Sequence, residues 1–265
     1  MTIETDFSPS PATWVIRADG VRLAYRHHCA RPDAPTLLFL PGYMSDMLGG
    51  KATALYAWAV GTGHNILLLD YAGCGESEGH FRDGTLVSWR DDVLSVVDAV
   101  LGKDAPLLVV GSSMGGWLML LVALARPRQV KALVGIAAAP DFTDWGFDDE
   151  QKEGFRAGLT LEEHSDYSDE PYVTTAAFWQ SGEANRLLDG DIPFSGPVRL
   201  IHGQADPDVP WEVSLTLAAA LRSADVQTRL IKDGDHRLSR PEDIAILKDV
   251  VAELFAKIGP LPRIG

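Results

Sequence analysis

Apolar positions recur along this chain in two rhythms. Short, nearly continuous runs at Thr36 to Leu40, Asn65 to Leu69, Leu107 to Val110, Lys131 to Ala137, Val198 to Ile201 and Gln227 to Ile231 lack polar alternation. That is the pattern of strands buried on both faces of a parallel sheet. Between them the spacing changes to three and four. Trp89, Val93, Val96, Val97, Val100 and Leu101 predict one helix, and Ile244, Leu247, Val250, Val251, Leu254 and Ile258 predict another. Near the start, Thr13 to Arg17 and Val21 to His27 flank Ala18-Asp19-Gly20, whose Asp-Gly pair predicts a hairpin and hence an antiparallel opening. Strands and helices that alternate in this way predict an α/β fold: a mostly parallel eight-stranded sheet flanked by helices.

The rhythm breaks once, between Asp141 and Ser195. Phe142, Trp145, Phe147, Phe155, Phe178 and Trp179 are scattered there among acids. So long a connection between strands is usually functional. We read it as a small, mostly helical cap whose apolar underside receives an acyl chain; the alternative is a structural excursion packed on its own aromatics. The domain reading is then a core of residues 13–140 and 196–258, a cap insertion at 141–195, and tails at 1–12 and 259–265. Prolines and glycines mark the first tail as a loose leader and the second as a frayed end.

The chemistry starts at residues 107–126, LLVVGSSMGGWLMLLVALAR. An apolar run enters the tight turn Gly111-Ser112-Ser113-Met114-Gly115, and an apolar stretch of helical length leaves it. A serine on such a strand-to-helix turn has its hydroxyl lifted above the sheet edge, where helix N–H groups can meet an oxyanion. Ser113 is therefore the expected nucleophile. Gly75-Glu76-Ser77-Glu78-Gly79 matches the same pattern, but His80-Phe81-Arg82-Asp83-Gly84 follows it without helical periodicity, so Ser77 reads as a loop serine.

A serine hydroxyl needs a base, and the base needs a carboxylate to hold its tautomer. Of the seven histidines, His236 lies in Lys232-Asp233-Gly234-Asp235-His236-Arg237, directly after the last predicted strand. Loops at the carboxyl ends of strands are where open α/β sheets bind ligands. His202, ending an earlier strand, reads as a packing or locally bonded residue. The expected carboxylate is Asp206 in His202-Gly203-Gln204-Ala205-Asp206-Pro207-Asp208, with Asp208 its competitor and Asp141 a distant third. The order Ser113, Asp206, His236 is the one this fold uses. The expected oxyanion donors are the backbone N–H groups of Met114 and of Tyr43 in Leu40-Pro41-Gly42-Tyr43. These side chains call for no metal and no cofactor.

Composition narrows the setting. At 265 residues and 46% hydrophobic content the chain can bury one sizeable core. A net charge of −14 argues against nucleic acid and anionic membranes as partners. Cys29 and Cys74 are far apart and suggest neither a disulfide framework nor a zinc site. No apolar run is long enough to span a membrane. The N-terminus, with acids and no basic or apolar core, carries no recognisable address. A cytoplasmic location is expected.

With these residues in hand, the chain from about 20 to 257 resembles the α/β-hydrolase family, and within it the mitochondrial palmitoyl-protein thioesterases that also act as acyl-glucuronide esterases. The likeness rests on Leu40-Pro41-Gly42-Tyr43, Asp70-Tyr71-Ala72-Gly73-Cys74-Gly75, Gly111 through Leu120, Ala125-Arg126-Pro127, His202-Gly203 through Asp206 to Val209-Pro210-Trp211, and Asp235-His236-Arg237. It implies cofactor-free cleavage of carboxylic esters or acyl thioesters by Ser113, Asp206 and His236. The partners implied are small-molecule esters or thioesters and acylated proteins. Two rival readings share the fold: a lyase or carbon–carbon bond hydrolase using the same three side chains, and a ligand-binding protein without catalysis. Dehalogenase chemistry is disfavoured, because it needs a carboxylate where Ser113 stands.

Overall fold

The computed structural model describes residues 10–164 and 171–259. In chain order it contains β1 (Thr13–Ile16), β2 (Arg22–His28), β3 (Thr36–Leu40), α1 (Gly50–Thr62), β4 (Asn65–Leu69), α2 (Leu86–Val100), β5 (Leu107–Ser112), α3 (Met114–Ala125) and β6 (Val130–Ile136). The long interval then supplies α4 (Phe142–Trp145), α5 (Asp149–Arg156), β7 (Leu161–Glu163), β8 (Tyr172–Thr174) and α6 (Ala176–Glu183). The chain ends with β9 (Val198–Gly203), α7 (Glu212–Ala220), β10 (Val226–Ile231) and α8 (Pro241–Ile258). The leader and tail expected from the sequence lie mostly outside the described residues. Ser10, inside them, is not loose: its carbonyl accepts from the Arg26 guanidinium at 2.7 Å.

Eight strands form one sheet in the order β1-β2-β4-β3-β5-β6-β9-β10. Only the pairs β1·β2 and β2·β4 are antiparallel. The β1–β2 hairpin turns through a Gly20 N–H to Arg17 carbonyl bond of 2.9 Å, and Gly20 at φ 92° supplies the left-handed step that lets the strands resume pairing. In the central parallel strands neighbouring residues face opposite helical layers, which is why those runs are mostly apolar; β10, at the sheet edge, alternates half-buried with exposed positions and carries Gln227 and Arg229 rather than the continuous apolar run expected. Leu37, Phe39, Ile66 and Leu68 pack under α1 and α8, while Leu38, Leu40, Leu67 and Leu69 pack under α2 and α3. Each such fully buried side chain contributes about 1.5–3 kcal/mol from apolar burial.

The register aligns the carboxyl ends of the strands. Leu40 lies opposite Gly111, Ser112 opposite Ile136, Ile136 opposite Ile201 and Ile231 opposite Gly203. The loops leaving β3, β5, β9 and β10 therefore emerge along one edge of the sheet.

Residues between β6 and β9 are less helical than expected. Besides three short helices they contain the antiparallel ribbon β7·β8. Their root is pinned by Asp141, held at φ 57° with its carboxylate accepting the N–H groups of Leu187 and Leu188 at 2.7–3.0 Å. Trp179 Nε1 donates to the Thr143 carbonyl at 2.9 Å and stacks on Phe155 with ring centres 5.6 Å apart.

Candidate active site

Ser113 sits between β5 and α3 at φ 55° and ψ −122°, a conformation that L residues hold only when their surroundings enforce it. Backbone bonds enforce it here: its N–H donates to the Ile136 carbonyl at 2.9 Å, and its carbonyl accepts from Gly116 at 2.8 Å and Ala139 at 3.1 Å. The turn can be this tight because two glycines flank it. A Cβ on Gly111 would lie 2.2 Å from the Gly115 carbonyl oxygen, and one on Gly115 would lie 2.2 Å from that of Leu40. Although Ser113 is the residue before α3, its hydroxyl makes no capping bond to the helix. It points instead to His236.

The structure brings Ser113, His236 and Asp206 into one hydrogen-bonded chain. His236 Nε2 is 3.1 Å from Ser113 Oγ, and His236 Nδ1 is 2.8 Å from Asp206 Oδ2. A carboxylate can only accept, so Nδ1 carries the proton and Nε2 offers its lone pair to the serine hydroxyl. The Asp206 side chain is fully buried and that of His236 17% exposed. Four N–H groups surround the Asp206 carboxylate. Oδ1 accepts from the backbones of Asp208 and Val209, both at 2.9 Å, while Oδ2 lies 2.8 Å from His236 Nδ1 and 3.2 Å from His202 Nε2. Burial pushes this carboxyl up, but the bonds from His202, His236 and the Val209 amide outweigh burial and hold it below the usual carboxylate range. Asp206 thus stays ionised beside an imidazole that gains a proton.

Two buried amides face the same edge. Among the described residues, the N–H groups of Tyr43 and Met114 donate to no protein acceptor. Buried N–H groups are rarely left unpaired, so a pair of them next to a serine hydroxyl is suited to an oxyanion. The loop carrying Tyr43 is fixed from below. Tyr71 donates its hydroxyl to the Pro41 carbonyl at 2.9 Å, and Asp70 accepts from the N–H groups of Met47 at 2.7 Å and Glu76 at 2.8 Å. Burial raises the Asp70 carboxyl to about 6 despite these amide bonds. Gly42 permits the close approach: a Cβ there would stand 3.3 Å from Ser113 Cβ.

Comparison with known proteins places the chain among its relatives. The prolyl oligopeptidase family model matches residues 52–258. Mitochondrial palmitoyl-protein thioesterase ABHD10 of Homo sapiens is 38% identical over 249 residues, covering 92% of this chain and 80% of that protein. The chain belongs to the α/β-hydrolase family. The solved mouse α/β hydrolase domain-containing protein 10 overlays this hydrolase with a TM-score of 0.86 at 36% identity, covering 94% of this chain and 100% of that one. A solved protein from Agrobacterium vitis gives 0.85 at 37% identity, covering 92% and 98%. These relatives overturn the cytoplasmic expectation, since the curated thioesterases at this identity are mitochondrial. Acidic charge and two unpaired cysteines suit any reducing compartment, so they could not single out the cytoplasm.

The remaining residues singled out in the sequence have other tasks in this hydrolase. Ser77 donates its hydroxyl to the Asp70 carbonyl at 2.7 Å and accepts from Ala24 N–H at 2.8 Å, a structural pin. Asp208 presents its backbone to Asp206 and its side chain to the surface. Asp141 is committed to Leu187 and Leu188. Ligand atoms of Asp206, Asp208 and His236 lie within 4.8 Å of one another, but the first and last are already bonded together. Within the expected cap, Phe142 and Phe178 pack on the Tyr43 ring at 6.0 and 4.7 Å, and Tyr43 Oη donates to the Val173 carbonyl at 2.7 Å. Aromatics from β3's loop and from the insertion satisfy each other. A cavity of about 280 Å³ lies elsewhere on the insertion, lined by residues that include Asp148, Phe155 and Leu161. No helix among the described residues is long and apolar enough to cross a membrane.

Proposed function

We propose that this hydrolase cleaves carboxylic esters or acyl thioesters through an acyl-enzyme on Ser113. The observation that carries the reading is the continuous chain Ser113, His236, Asp206, at 3.1 and 2.8 Å, beside two unpaired amides. In this mechanism His236 Nε2 takes the Ser113 proton as Oγ attacks the acyl carbonyl, and Asp206 steadies the imidazolium through Nδ1–H. The amides of Tyr43 and Met114 receive the oxyanion. Collapse expels the alcohol or thiol, which takes the proton from His236, and a water activated by the same imidazole releases the acid and restores the serine.

The relatives named as palmitoyl-protein thioesterases support an acyl thioester on a protein as one substrate class; small esters, acyl glucuronides among them, are the other class proposed, on the chemistry of the serine alone. In this reading residues 13–140 and 196–258 form the core and 141–195 a cap upon it. The test uses wild type and Ser113→Ala with p-nitrophenyl acyl esters and acyl thioesters of graded chain length. Wild type should show a burst and steady turnover with a chain-length optimum, while Ser113→Ala should lose at least about 10⁴-fold in kcat and keep its fold. Wild-type rates in Ser113→Ala would sink the assignment.

A further inference from the structure

His202 is fully buried at the end of β9 and approaches the same Asp206 oxygen, Oδ2, as His236 does. Its bonds determine its proton. Nε2 lies 3.1 Å from the Val209 carbonyl oxygen and 3.2 Å from Asp206 Oδ2, both acceptors, so Nε2 carries the hydrogen. Nδ1 is then a lone pair, and it meets the Ser214 hydroxyl at 2.7 Å. Ser214, 1% exposed in the first turn of α7, satisfies that nitrogen at depth by donating its hydroxyl to Nδ1. The Nδ1–H tautomer would turn a lone pair toward the Asp206 carboxylate.

We propose that His202, held as the Nε2–H tautomer by the two acceptors at that nitrogen and bonded at Nδ1 by Ser214, is a positioning residue for the hydrolytic reaction: it clamps Asp206 Oδ2 in the orientation that receives His236. The inference rests on the Ser113 reading and goes one layer beyond it. Two backbone amides hold Oδ1, but both come from the residues just after Asp206 and move with its loop. His202 belongs to the sheet and ties the carboxylate to a rigid strand. The Nε2–H that bonds the Val209 carbonyl is shared with Oδ2, 3.2 Å away, so one strand-borne donor holds both the loop and its carboxylate. Misplacing a reacting group by about 1 Å costs about 10²-fold in rate, which sets the scale of the effect.

The test compares His202→Leu, His202→Gln, Ser214→Ala and the double variant His202→Leu/Ser214→Ala with wild type. The readouts are kcat and KM on an activated acyl ester and the rate of covalent labelling by a fluorophosphonate, with Ser113→Ala alongside. His202→Leu should lower kcat and labelling rate by about 10²-fold with KM nearly unchanged. His202→Gln, which restores an N–H donor, should recover about tenfold of that loss. Ser214→Ala should cost several-fold in the wild-type background and nothing in His202→Leu, because its effect passes through the imidazole. Folded His202→Leu with kcat within about twofold of wild type overturns the clamp. So does an equal Ser214→Ala penalty in both backgrounds, and so does a loss in His202→Leu that His202→Gln fails to rescue. If His202→Leu does not fold, Ser214→Ala and Ser214→Thr decide: loss in the alanine variant with recovery in the threonine supports the clamp, and unchanged kcat in both refutes it. Labelling abolished in Ser113→Ala with wild-type rates in the His202 variants removes this inference alone, whereas labelling that persists in Ser113→Ala removes the underlying reading as well.

Discussion

Replacing Asp206 by asparagine separates the charge of the carboxylate from its shape, and the contacts around it determine how the amide must sit. One orientation puts the amide NH₂ against the backbone N–H groups of Asp208 and Val209, the Val209 bond being half-buried, and leaves donors facing each other across 2.9 Å. Each unsatisfied buried donor costs about 1–3 kcal/mol, so this orientation loses. The other keeps the amide oxygen on those two N–H groups and turns NH₂ toward His236 Nδ1 and His202 Nε2. His236 then relieves the donor clash by moving its proton to Nε2. In that tautomer Nε2 donates toward Ser113 Oγ, 3.1 Å away, and can no longer accept from it. The base is lost while the local backbone bonds survive. A wrong tautomer of this kind costs about 10⁴-fold in serine-protease triads, about 5 kcal/mol in activation free energy, and the same is expected of kcat here. The assay is steady-state hydrolysis of an activated acyl ester by wild type, Asp206→Asn and Asp208→Asn, with the unfolding midpoint checked for each. Asp208→Asn should stay within about twofold, because the bond Asp208 gives the carboxylate comes from its backbone N–H, which the variant keeps. Folded Asp206→Asn with kcat within about tenfold of wild type would refute the reasoning. A large loss in Asp208→Asn alone would transfer the orienting role to that residue.

Asp70 should leave a signature in stability against pH. Its folded pKa is raised from 3.8 to about 6, so its contribution is fully present below pH 4 and lost as pH rises through 6. The ionised group costs about 3 kcal/mol at neutral pH, from about 1.36 kcal/mol per unit. Asp70→Asn, which does not titrate, should flatten the decline in unfolding free energy between pH 4 and 6 measured by urea titration; an identical slope in both proteins would contradict the burial argument. Tyr43→Phe leaves the Val173 carbonyl without its 2.7 Å donor and should destabilise by about 1–2 kcal/mol in thermal or urea unfolding. Since the proposed oxyanion donor is the Tyr43 amide rather than its hydroxyl, kcat should change less than about threefold. A tenfold fall in kcat at unchanged stability would put the phenol in the chemistry.

What the sequence by itself determined is short in range or repeated in pattern. The elbow is readable because strand, turn and helix are contiguous in residues 107–126, and only glycine fits beside Ser113 where a Cβ would lie 2.2 Å from a carbonyl oxygen. The central strands β3, β4, β5, β6 and β9 are readable because burial on both faces removes most polar residues from whole segments, and β1 and β2 because an Asp-Gly turn joins them. His236 and Asp206 could be nominated because both follow β-runs whose ends share an edge of the sheet. Helix α1 was not predicted: its buried stripe is Ala52, Leu55, Tyr56 and Ala59, and alanine marks a face only weakly. Tertiary structure alone decided the insertion and the surroundings of the carboxylate. The ribbon β7·β8 is three residues per strand and carries too little periodicity to identify, and its place is set by Tyr43, 130 residues away from the Val173 carbonyl it holds. His202 had no sequence signal beyond its type: its partners Asp206, Val209 and Ser214 follow within 12 residues, but only the folded path of that loop and helix shows which of their atoms face the ring. Local backbone demands and solvent exclusion act residue by residue and leave a record in the sequence, whereas a hydrogen bond between distant segments depends on where packing brings their ends.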